Sequence, residues 1–270
     1  MSGQAGFHPH VTTLGAGPHR ILALHCTMAF GGAWGGIAKV LGPQAQLICP
    51  DMPSHGRSPD WDEKSDFGDT VFASAVDTLG QGPMDVVGHS FGAAIALRLA
   101  LAHPDRVSRL VLFEPVLFAV ALADDPDSMG DHDSRASPFM QALARGERQE
   151  GARAFNRMWS GAGQWGRLPQ STKDAMARAV HVVPGTTPFL YDDAKGILKP
   201  GVLGGLNMPV LLMSGADTLD AVKATNAGLA RRIGANAQQV VIAKAGHMAP
   251  ITHPVELGTA IAAHFDIASP

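Results

Sequence analysis

The segment Gly88-His89-Ser90-Phe91-Gly92 places a serine between two glycines at a spacing that could expose a nucleophile on a sharp turn. An apolar stretch, 84–87, precedes it, and the helix-forming stretch 93–102 follows it. A serine in such a strand-turn-helix junction needs a positive φ, and side chains at positions 88 and 92 would collide with the adjacent strand and helix. We therefore predict that Ser90 is a nucleophile at the N-terminus of a helix.

A serine hydroxyl is a weak nucleophile and needs a base to accept its proton. In parallel sheets the catalytic groups gather at the carboxyl ends of strands. His247 follows the last strand-like stretch, 239–242, and is preceded by a glycine. The alternative is His253, but its place directly before Pro254 is typical of a helix start. We predict His247 as the base.

The base needs a carboxylate that orients its ring. Asp217 follows the predicted strand 210–213 and lies between Ser90 and His247, which gives the order serine, acid, histidine along the chain. Asp217 could instead cap the next helix, although Asp220 suits that role better. Glu114, at the end of another predicted strand, is the alternative orienting acid. We predict Asp217.

An oxyanion formed by attack on a carbonyl needs two N–H donors. The first is expected from Phe91, directly after the nucleophile. The second is expected from the loop after the first buried strand, where Thr27 is the best candidate and Cys26 and Met28 are its neighbours. The loss of one such donor typically costs about 10²–10³ in turnover.

Strand-like and helix-like stretches alternate along most of the chain, which predicts an α/β fold with a mostly parallel sheet and helices on both faces. The expected strands are short apolar runs at 21–26, 46–49, 84–87, 107–113, 210–213 and 239–242. The expected helices are 33–41, 70–79, 93–102, 221–232 and 254–264. No internal repeat interrupts this alternation.

The strand signal disappears between the core segments 1–115 and 205–270, so we expect residues 116–204 to form a helical cap inserted into the core. Within it, 124–134 is expected to be a loop and 139–143, 151–159 and 171–183 to be helical. The insertion is rich in large apolar residues, which suit the underside of a lid. We predict that Met158 and Trp159 of the cap and Phe30 of the core contact a substrate with an apolar part.

Composition excludes several other function classes. A net charge of −3, with 46% hydrophobic and 17% charged residues, offers no case for nucleic-acid or membrane binding. Cys26 and Cys49 are expected to be buried thiols, although a disulfide between neighbouring strands stays open. Met1-Ser2-Gly3-Gln4 shows no start of a signal peptide, so we expect a cytoplasmic protein, and the sequence is compatible with a homodimer.

No cofactor or metal site is expected. The sequence contains no H-E-x-x-H motif. The segment Gly15-Ala16-Gly17-Pro18-His19 lacks the third glycine of a dinucleotide fingerprint and precedes its strand instead of following it.

The chain resembles the α/β-hydrolase superfamily, in its capped branch of serine esterases and lactonases. The resemblance rests on the Ser90 segment, on Asp51-Met52-Pro53-Ser54-His55-Gly56-Arg57-Ser58, and on Gly246-His247 before the last helix. It implies a cap after the sixth strand and the roles given above for Ser90, His247 and Asp217, with Thr27 and Phe91 as oxyanion donors. The family often has glycine after the first-strand histidine, whereas His25 is followed by Cys26.

The resemblance implies hydrolysis of a carboxylic ester or lactone through an acyl-enzyme on Ser90. The same three residues would equally serve a carbon–carbon bond hydrolase, a thioesterase or a cofactor-free perhydrolase, because only the pocket separates these activities. A haloalkane dehalogenase is disfavoured, since it needs a carboxylate at position 90. The alternative of another class is a non-catalytic ligand-binding protein on this fold.

Overall fold

The computed structural model of the protein describes residues 7–160 and 164–268; the N-terminal segment used to predict localisation, Met1 to Gln4, lies outside them. The seven strands of its sheet are β1 (Val11–Gly15), β2 (His19–Leu24), β3 (Ala45–Pro50), β4 (Met84–His89), β5 (Val107–Phe113), β6 (Val210–Gly215) and β7 (Ala237–Ile242). Their order in the sheet is β1-β3-β2-β4-β5-β6-β7. Only the β1–β3 pair is antiparallel among these, which confirms the predicted, mostly parallel sheet.

Alternate residues of the central strands enter two different hydrophobic clusters, one on each face of the sheet. In β6, Leu212 packs with one cluster and Leu211 with the other. The core helices that cover these faces are α1 (Gly35–Leu41), α2 (Phe67–Leu79), α3 (Phe91–Ala102), α9 (Asp220–Ile233), α10 (Ala249–Thr252) and α11 (Pro254–His264). Helices α2, α3 and α9 cover one face and α1 and α11 the other, so both faces are covered by helices, as predicted.

The segment between β5 and β6 contains helices and no strand in its described part. The helices are α4 (Ala119–Asp124), α5 (Met129–Ala144), α6 (Arg148–Ser160), α7 (Gln170–Ala179) and α8 (Thr187–Leu190). Five strands precede this segment, whereas the resemblance implied six. We call residues 116–204, the range predicted as a cap, the cap.

The predicted loop at 124–134 is wrong in its second half, because α5 begins at Met129. Polar and glycine residues in this stretch suggested a turn, but Met129, His132, Phe139 and Ala142 are buried at helical spacing. Packing of that face therefore outweighs the weak helix propensity of the intervening residues.

Exposed ion pairs join the cap to the core in addition to apolar contacts. Asp124, at the end of α4, accepts hydrogen bonds from Arg231 (2.7 Å) and Arg232 (2.6 Å), in the last turn of α9. Arg178 of α7 bonds Asp60 at 2.8 Å. Lys195 lies 2.8 Å from Asp69 of α2. The cap is thus attached at several places along its length.

Both cysteines are buried free thiols, as predicted. Burial raises the pKa of Cys26 to about 12 and also raises the pKa of Cys49. Among the helices within 7–160 and 164–268, none combines the length and apolar character needed to cross a bilayer.

Candidate active site

Ser90 occupies a strained turn between β4 and α3, with φ 57° and ψ −120°. A Cβ on Gly88 would lie 2.5 Å from Ala93 Cα, and one on Gly92 would lie 2.3 Å from the Leu24 carbonyl oxygen. Only glycine fits at these two positions. The Ser90 N–H donates to the Phe113 carbonyl at 3.0 Å, so the neighbouring strand also holds the turn. This is the geometry that the sequence predicted.

His247 lies in the loop after β7 and is buried, with its Nδ1 2.6 Å from Glu114 Oε2. A carboxylate oxygen accepts, so Nδ1 carries the proton and Nε2 is left as the acceptor that a general base needs. His253, the rejected alternative, forms the N-cap of α11, and its Nδ1 bonds Thr252 Oγ1 at 2.8 Å. The structure therefore gives the carboxylate partner to His247.

Glu114 is that partner, and it stands directly after β5 with a positive φ of 48°. Its side chain is fully buried and accepts three hydrogen bonds. Oε1 accepts from the Gly215 N–H at 2.7 Å, and Oε2 accepts from Thr218 Oγ1 at 2.8 Å as well as from His247. Such a carboxylate is fixed in position before any substrate binds.

The prediction that Asp217 bonds the imidazole is wrong. Asp217 is exposed, and its carboxylate has no hydrogen-bond partner among the described residues. Its backbone N–H donates to the Ala245 carbonyl at 2.9 Å, which fixes a turn that directs the next side chain, Thr218, towards Glu114. The turn thus contributes the threonine hydroxyl to the site, and the aspartate faces solvent.

Ser90 and His247 are neighbours through His89. The Nε2–H of His89 donates to the His247 carbonyl at 2.9 Å, and the two imidazole centroids are 4.9 Å apart. Ser90 Oγ makes no hydrogen bond with any residue of the described chain. In unliganded enzymes such contacts are often long and tighten when the substrate binds.

The N–H groups of the two predicted oxyanion donors are unpaired among the described residues. Phe91 begins α3, and neither its N–H nor that of Thr27 donates to a described residue. Thr27 lines the same cavity as Ser90. Met28, one of the two neighbouring alternatives, is already engaged, because its N–H donates to His55 Nε2 at 2.8 Å. Thr27 and Phe91 therefore remain the predicted donors, with Cys26 as the other alternative.

Two buried histidines hold the loop that carries Thr27. His25 Nδ1 donates to the Cys26 carbonyl at 2.8 Å, and its Nε2 accepts from the Met52 N–H at 3.0 Å. His55 repeats this pattern with the Pro53 carbonyl (2.8 Å) and the Met28 N–H. Burial lowers the pKa of His25, and burial together with nearby His25 lowers that of His55 to about 3. Both imidazole rings are therefore neutral near pH 7, and their hydrogen bonds hold the loop in place.

Trp159 of α6 brings the cap into the site. Its ring lies against the His247 imidazole, with centroids 4.1 Å apart and planes at 35°. Trp159 is half-buried, and an indole beside an imidazole shields that face from water and can stabilise an imidazolium by a cation–π interaction. Trp159, predicted as a substrate contact, is thus also a contact of the base.

A cavity of about 380 Å³ opens at Ser90 beneath the cap. Its lining is mainly apolar and includes Val116, Phe118, Phe139, Phe155, Met158 and Trp159. Met158 and Trp159 were predicted here. Phe30 was also predicted, but it lies outside the lining and 52% of its surface is exposed. Its ring lies beside Gly32, so the structure does not bring Phe30 into the cavity as predicted.

A second cleft of about 410 Å³ lies on the other side of His247. Met158 and Trp159 line both spaces, so they form the wall between them. Polar residues dominate the second lining, among them Asp131, Arg135, Asp217 and Thr218. The apolar cavity contains the serine, and the polar cleft contains the histidine.

A family model described as alpha/beta hydrolase fold matches residues 20–254. The chain belongs to the α/β hydrolase fold family. It is 36% identical over 147 residues to the lipase LipV of Mycobacterium tuberculosis. This match covers 50% of this chain and 56% of that protein. The chain thus matches only about half the length of that relative.

A second relative in this hydrolase family is matched over more of its length. The pimeloyl-[acyl-carrier protein] methyl ester esterase of Nitrosomonas europaea is 31% identical over 206 residues, with 76% of this chain and 79% of that one covered. Among solved structures, Cfl2 from Burkholderia cenocepacia superposes with a TM-score of 0.74 at 21% identity, over 97% of this chain and 93% of that one. At this identity the likeness shows the fold alone.

The carboxylate that bonds His247 had a signal in the sequence, although the chain order did not single it out. Glu114 also lies between Ser90 and His247, so the order serine, acid, histidine fits it as well as Asp217. Glu114, however, stands between the apolar runs 110–113 and 116–118, where a charge is expected to be buried and to need partners. Asp217 stands in a polar turn and needs none.

Proposed function

We propose that this protein is a serine hydrolase that cleaves a carboxylic ester through an acyl-enzyme on Ser90. The observation that carries the proposal is the 2.6 Å hydrogen bond between His247 and the buried Glu114, beside a serine with positive φ. A buried carboxylate that fixes the tautomer of a histidine next to such a serine is the arrangement of a nucleophile, a base and an orienting acid.

In the first half of the reaction, Ser90 Oγ attacks the ester carbonyl carbon while its proton passes to His247 Nε2. The carbonyl oxygen becomes an oxyanion that the N–H groups of Thr27 and Phe91 stabilise. The C–O bond to the leaving group then breaks, and His247 returns the proton to the departing alcohol. Glu114 stays ionised and stabilises the transient imidazolium.

In the second half, His247 takes a proton from a water molecule, whose oxygen attacks the acyl carbon of the Ser90 ester. Collapse of the second oxyanion breaks the bond to Ser90 Oγ, which regains its proton from His247. The products are a carboxylic acid and the free enzyme. A lactone follows the same steps, with both products joined in one hydroxy acid.

The apolar cavity suits the acyl half of a substrate. The acyl group must lie with the nucleophile and the oxyanion donors, in the apolar cavity that contains Ser90 and Thr27. Met158 and Trp159 separate this cavity from the polar cleft that His247 lines, so the cleft is not counted as part of the acyl site. We therefore expect an apolar acyl group.

A fluorophosphonate probe tests this proposal directly. The wild-type protein should be labelled, and Ser90→Ala, a folded chain without the nucleophile, should not. Hydrolysis of p-nitrophenyl esters should disappear in the same variant, with a loss on the order of 10⁶. Absence of labelling and of hydrolysis in the wild type would instead favour a non-catalytic binding protein.

A panel of substrates then separates the remaining activities. Esters, lactones, thioesters and a vinylogous diketone that reports carbon–carbon cleavage should be compared by kcat/KM. The proposal expects oxygen esters to lead. A higher kcat/KM for the diketone or for thioesters would show that Ser90, His247 and Glu114 serve the corresponding reaction instead.

A further inference from the structure

A hydrogen-bonded polar pair lies in the mainly apolar wall of the Ser90 cavity. His132 of α5 and Tyr191, directly after α8, both line the cavity, and Tyr191 Oη lies 3.2 Å from His132 Nε2. His132 is only 3% exposed, although it belongs to the cap. Polar side chains buried in a ligand cavity usually orient a ligand.

The hydrogen positions of this pair follow from its neighbours. His132 Nδ1 is 2.9 Å from Asp133 Oδ1, and because a carboxylate only accepts, Nδ1 must donate. Burial lowers the pKa of His132, so the ring is neutral near pH 7 and Nε2 is an acceptor. Tyr191 therefore donates its hydroxyl hydrogen to His132. The phenolic oxygen retains lone pairs and can accept one further hydrogen bond.

The pair lies close to the reacting groups. Trp159 contacts His132 on one side, with ring centroids 6.3 Å apart, and His247 on the other, at 4.1 Å. A single aromatic ring thus separates the pair from the base. Ser90 and Tyr191 line one cavity, so a group held by Tyr191 lies in the same space as an ester carbonyl at Ser90.

We propose that Tyr191, oriented by His132, is a recognition site for a hydroxyl group on a short acyl chain, so that the preferred substrate is the ester of a hydroxy acid. This inference rests on the proposed ester hydrolysis at Ser90 and specifies the acyl half of its substrate. The site needs a ligand that donates, because its free positions are lone pairs. Its lining contains no arginine or lysine among the described residues, so an acyl chain that ends in a carboxylate or phosphate is disfavoured.

Two neighbouring hydroxyl groups of the lining, those of Thr186 and Ser137, are less suitable. Thr186 Oγ1 donates to the Val183 carbonyl at 2.7 Å, and Ser137 Oγ accepts from Gln141 at 3.0 Å. Ser137 is exposed at the rim of the cavity. Tyr191 and His132 are instead held among Phe118 and Trp159, where a hydrogen bond counts more than it does in water.

The test compares methyl esters of linear acids from butanoate to hexanoate, each with and without a hydroxyl on carbon two, on carbon three or on the last carbon. Acid release is followed by titration at constant pH. For at least one hydroxyl position the wild type should show a kcat/KM about 10- to 100-fold above that of the parent ester. In Tyr191→Phe this ratio should fall towards one, while Ser137→Ala, which removes a hydroxyl from the rim, should retain it.

Equal kcat/KM for every hydroxy ester and its parent, or a preference that survives Tyr191→Phe, would overturn the hydroxyl site and leave the hydrolase assignment standing. Failure of the hydrolase assignment is recognised separately, by the absence of fluorophosphonate labelling. In that case calorimetry of the same ester pairs with Ser90→Ala decides, and equal affinities would overturn the hydroxyl site as well. The melting temperature of Tyr191→Phe controls for a loss of packing.

Discussion

The core and the cap hold their functional side chains by different means. In the core, the groups around Ser90 are fixed by short hydrogen bonds to buried backbone, as for Glu114 with Gly215 and His25 with Met52. In the cap, Met158, Trp159 and Tyr191 are positioned by aromatic contacts and by helices that exposed ion pairs attach to the core. The comparison indicates that the core side chains around Ser90 are held rigidly, whereas the cap side chains above them can adjust their positions.

Among substitutions of core residues that position the nucleophile and the base, Glu114→Gln should lower activity the most. One oxygen still accepts from Gly215, but the new amide group faces His247 and would force Nδ1 to accept, which selects the wrong tautomer. We expect kcat to fall by about 10³- to 10⁴-fold, measured by steady-state hydrolysis of an active ester. Circular dichroism should show a retained fold.

Asp217→Asn is the matched control for that experiment. Its exposed carboxylate accepts no hydrogen bond from any described side chain, so kcat should change by no more than a few-fold. A large loss in this variant with near-normal activity in Glu114→Gln would restore Asp217 as the orienting acid.

Acid destabilises the core through its neutral histidines. The folded-state pKa of His55, about 3, lies below its unfolded value of 6.5, so the unfolded chain binds the proton first as the pH falls. Stability is therefore complete above about pH 6.5 and falls towards pH 3, by up to roughly 1.4 kcal/mol per pH unit for this residue. Urea unfolding over this range measures the slope.

His55→Gln checks the assignment, because a glutamine can accept from Met28 and donate to Pro53 without titrating. The slope of the free energy of unfolding against pH should become shallower, by up to the contribution of one proton. His25 and His89, whose pKa values burial also lowers, should maintain the rest. An unchanged slope would remove His55 from this account.

Trp159 is the cap residue that contacts His247, the proposed base. Trp159→Leu should lower kcat about tenfold, because the imidazolium formed during the reaction loses a cation–π partner and gains water. Trp159→Phe should retain most of the activity, since it keeps an aromatic face. Single-turnover kinetics and the pH profile of kcat/KM distinguish this effect from a simple loss of substrate packing, which would raise KM alone.

The smallest effect is expected where the cap is attached. Asp124→Asn removes the charge that Arg231 and Arg232 share at the surface, and such exposed pairs contribute about 1 kcal/mol or less. Thermal unfolding should shift slightly at low salt and hardly at high salt. A change in substrate preference without a change in kcat would show that the attachment sets the position of the cap.

The same contrast explains what the sequence could predict. The turn at Ser90, the alternation of strands and helices around it and the place of His247 follow from local patterns, because glycine spacing and apolar runs act through backbone sterics and burial. Glu114 was ranked second because chain order and strand-end placement fit two acids equally. Only the turn at 216–218 decides between them, and it depends on a hydrogen bond between Asp217 and the distant Ala245.

The cap was less predictable for a physical reason. Helix α5 contains polar residues and Pro138, and only its packing against α6 and the core makes it helical. Phe30 was predicted to contact the substrate only because it lies in the same loop as Thr27. A change in the direction of the backbone at one residue is enough to expose such a ring. No local pattern of charges or aromatics identified the His132–Tyr191 pair, because its members are 59 residues apart.

His89 occupies the position that the Gly-x-Ser-x-Gly pattern leaves free, and it is bonded to the His247 carbonyl. The nucleophile turn and the last loop therefore form one mechanical unit, although 158 residues separate these two histidines along the chain. A graft of the pentapeptide into another scaffold would transfer the serine but lose the spacing to its base. Recombination between relatives should accordingly succeed only when both segments come from the same parent.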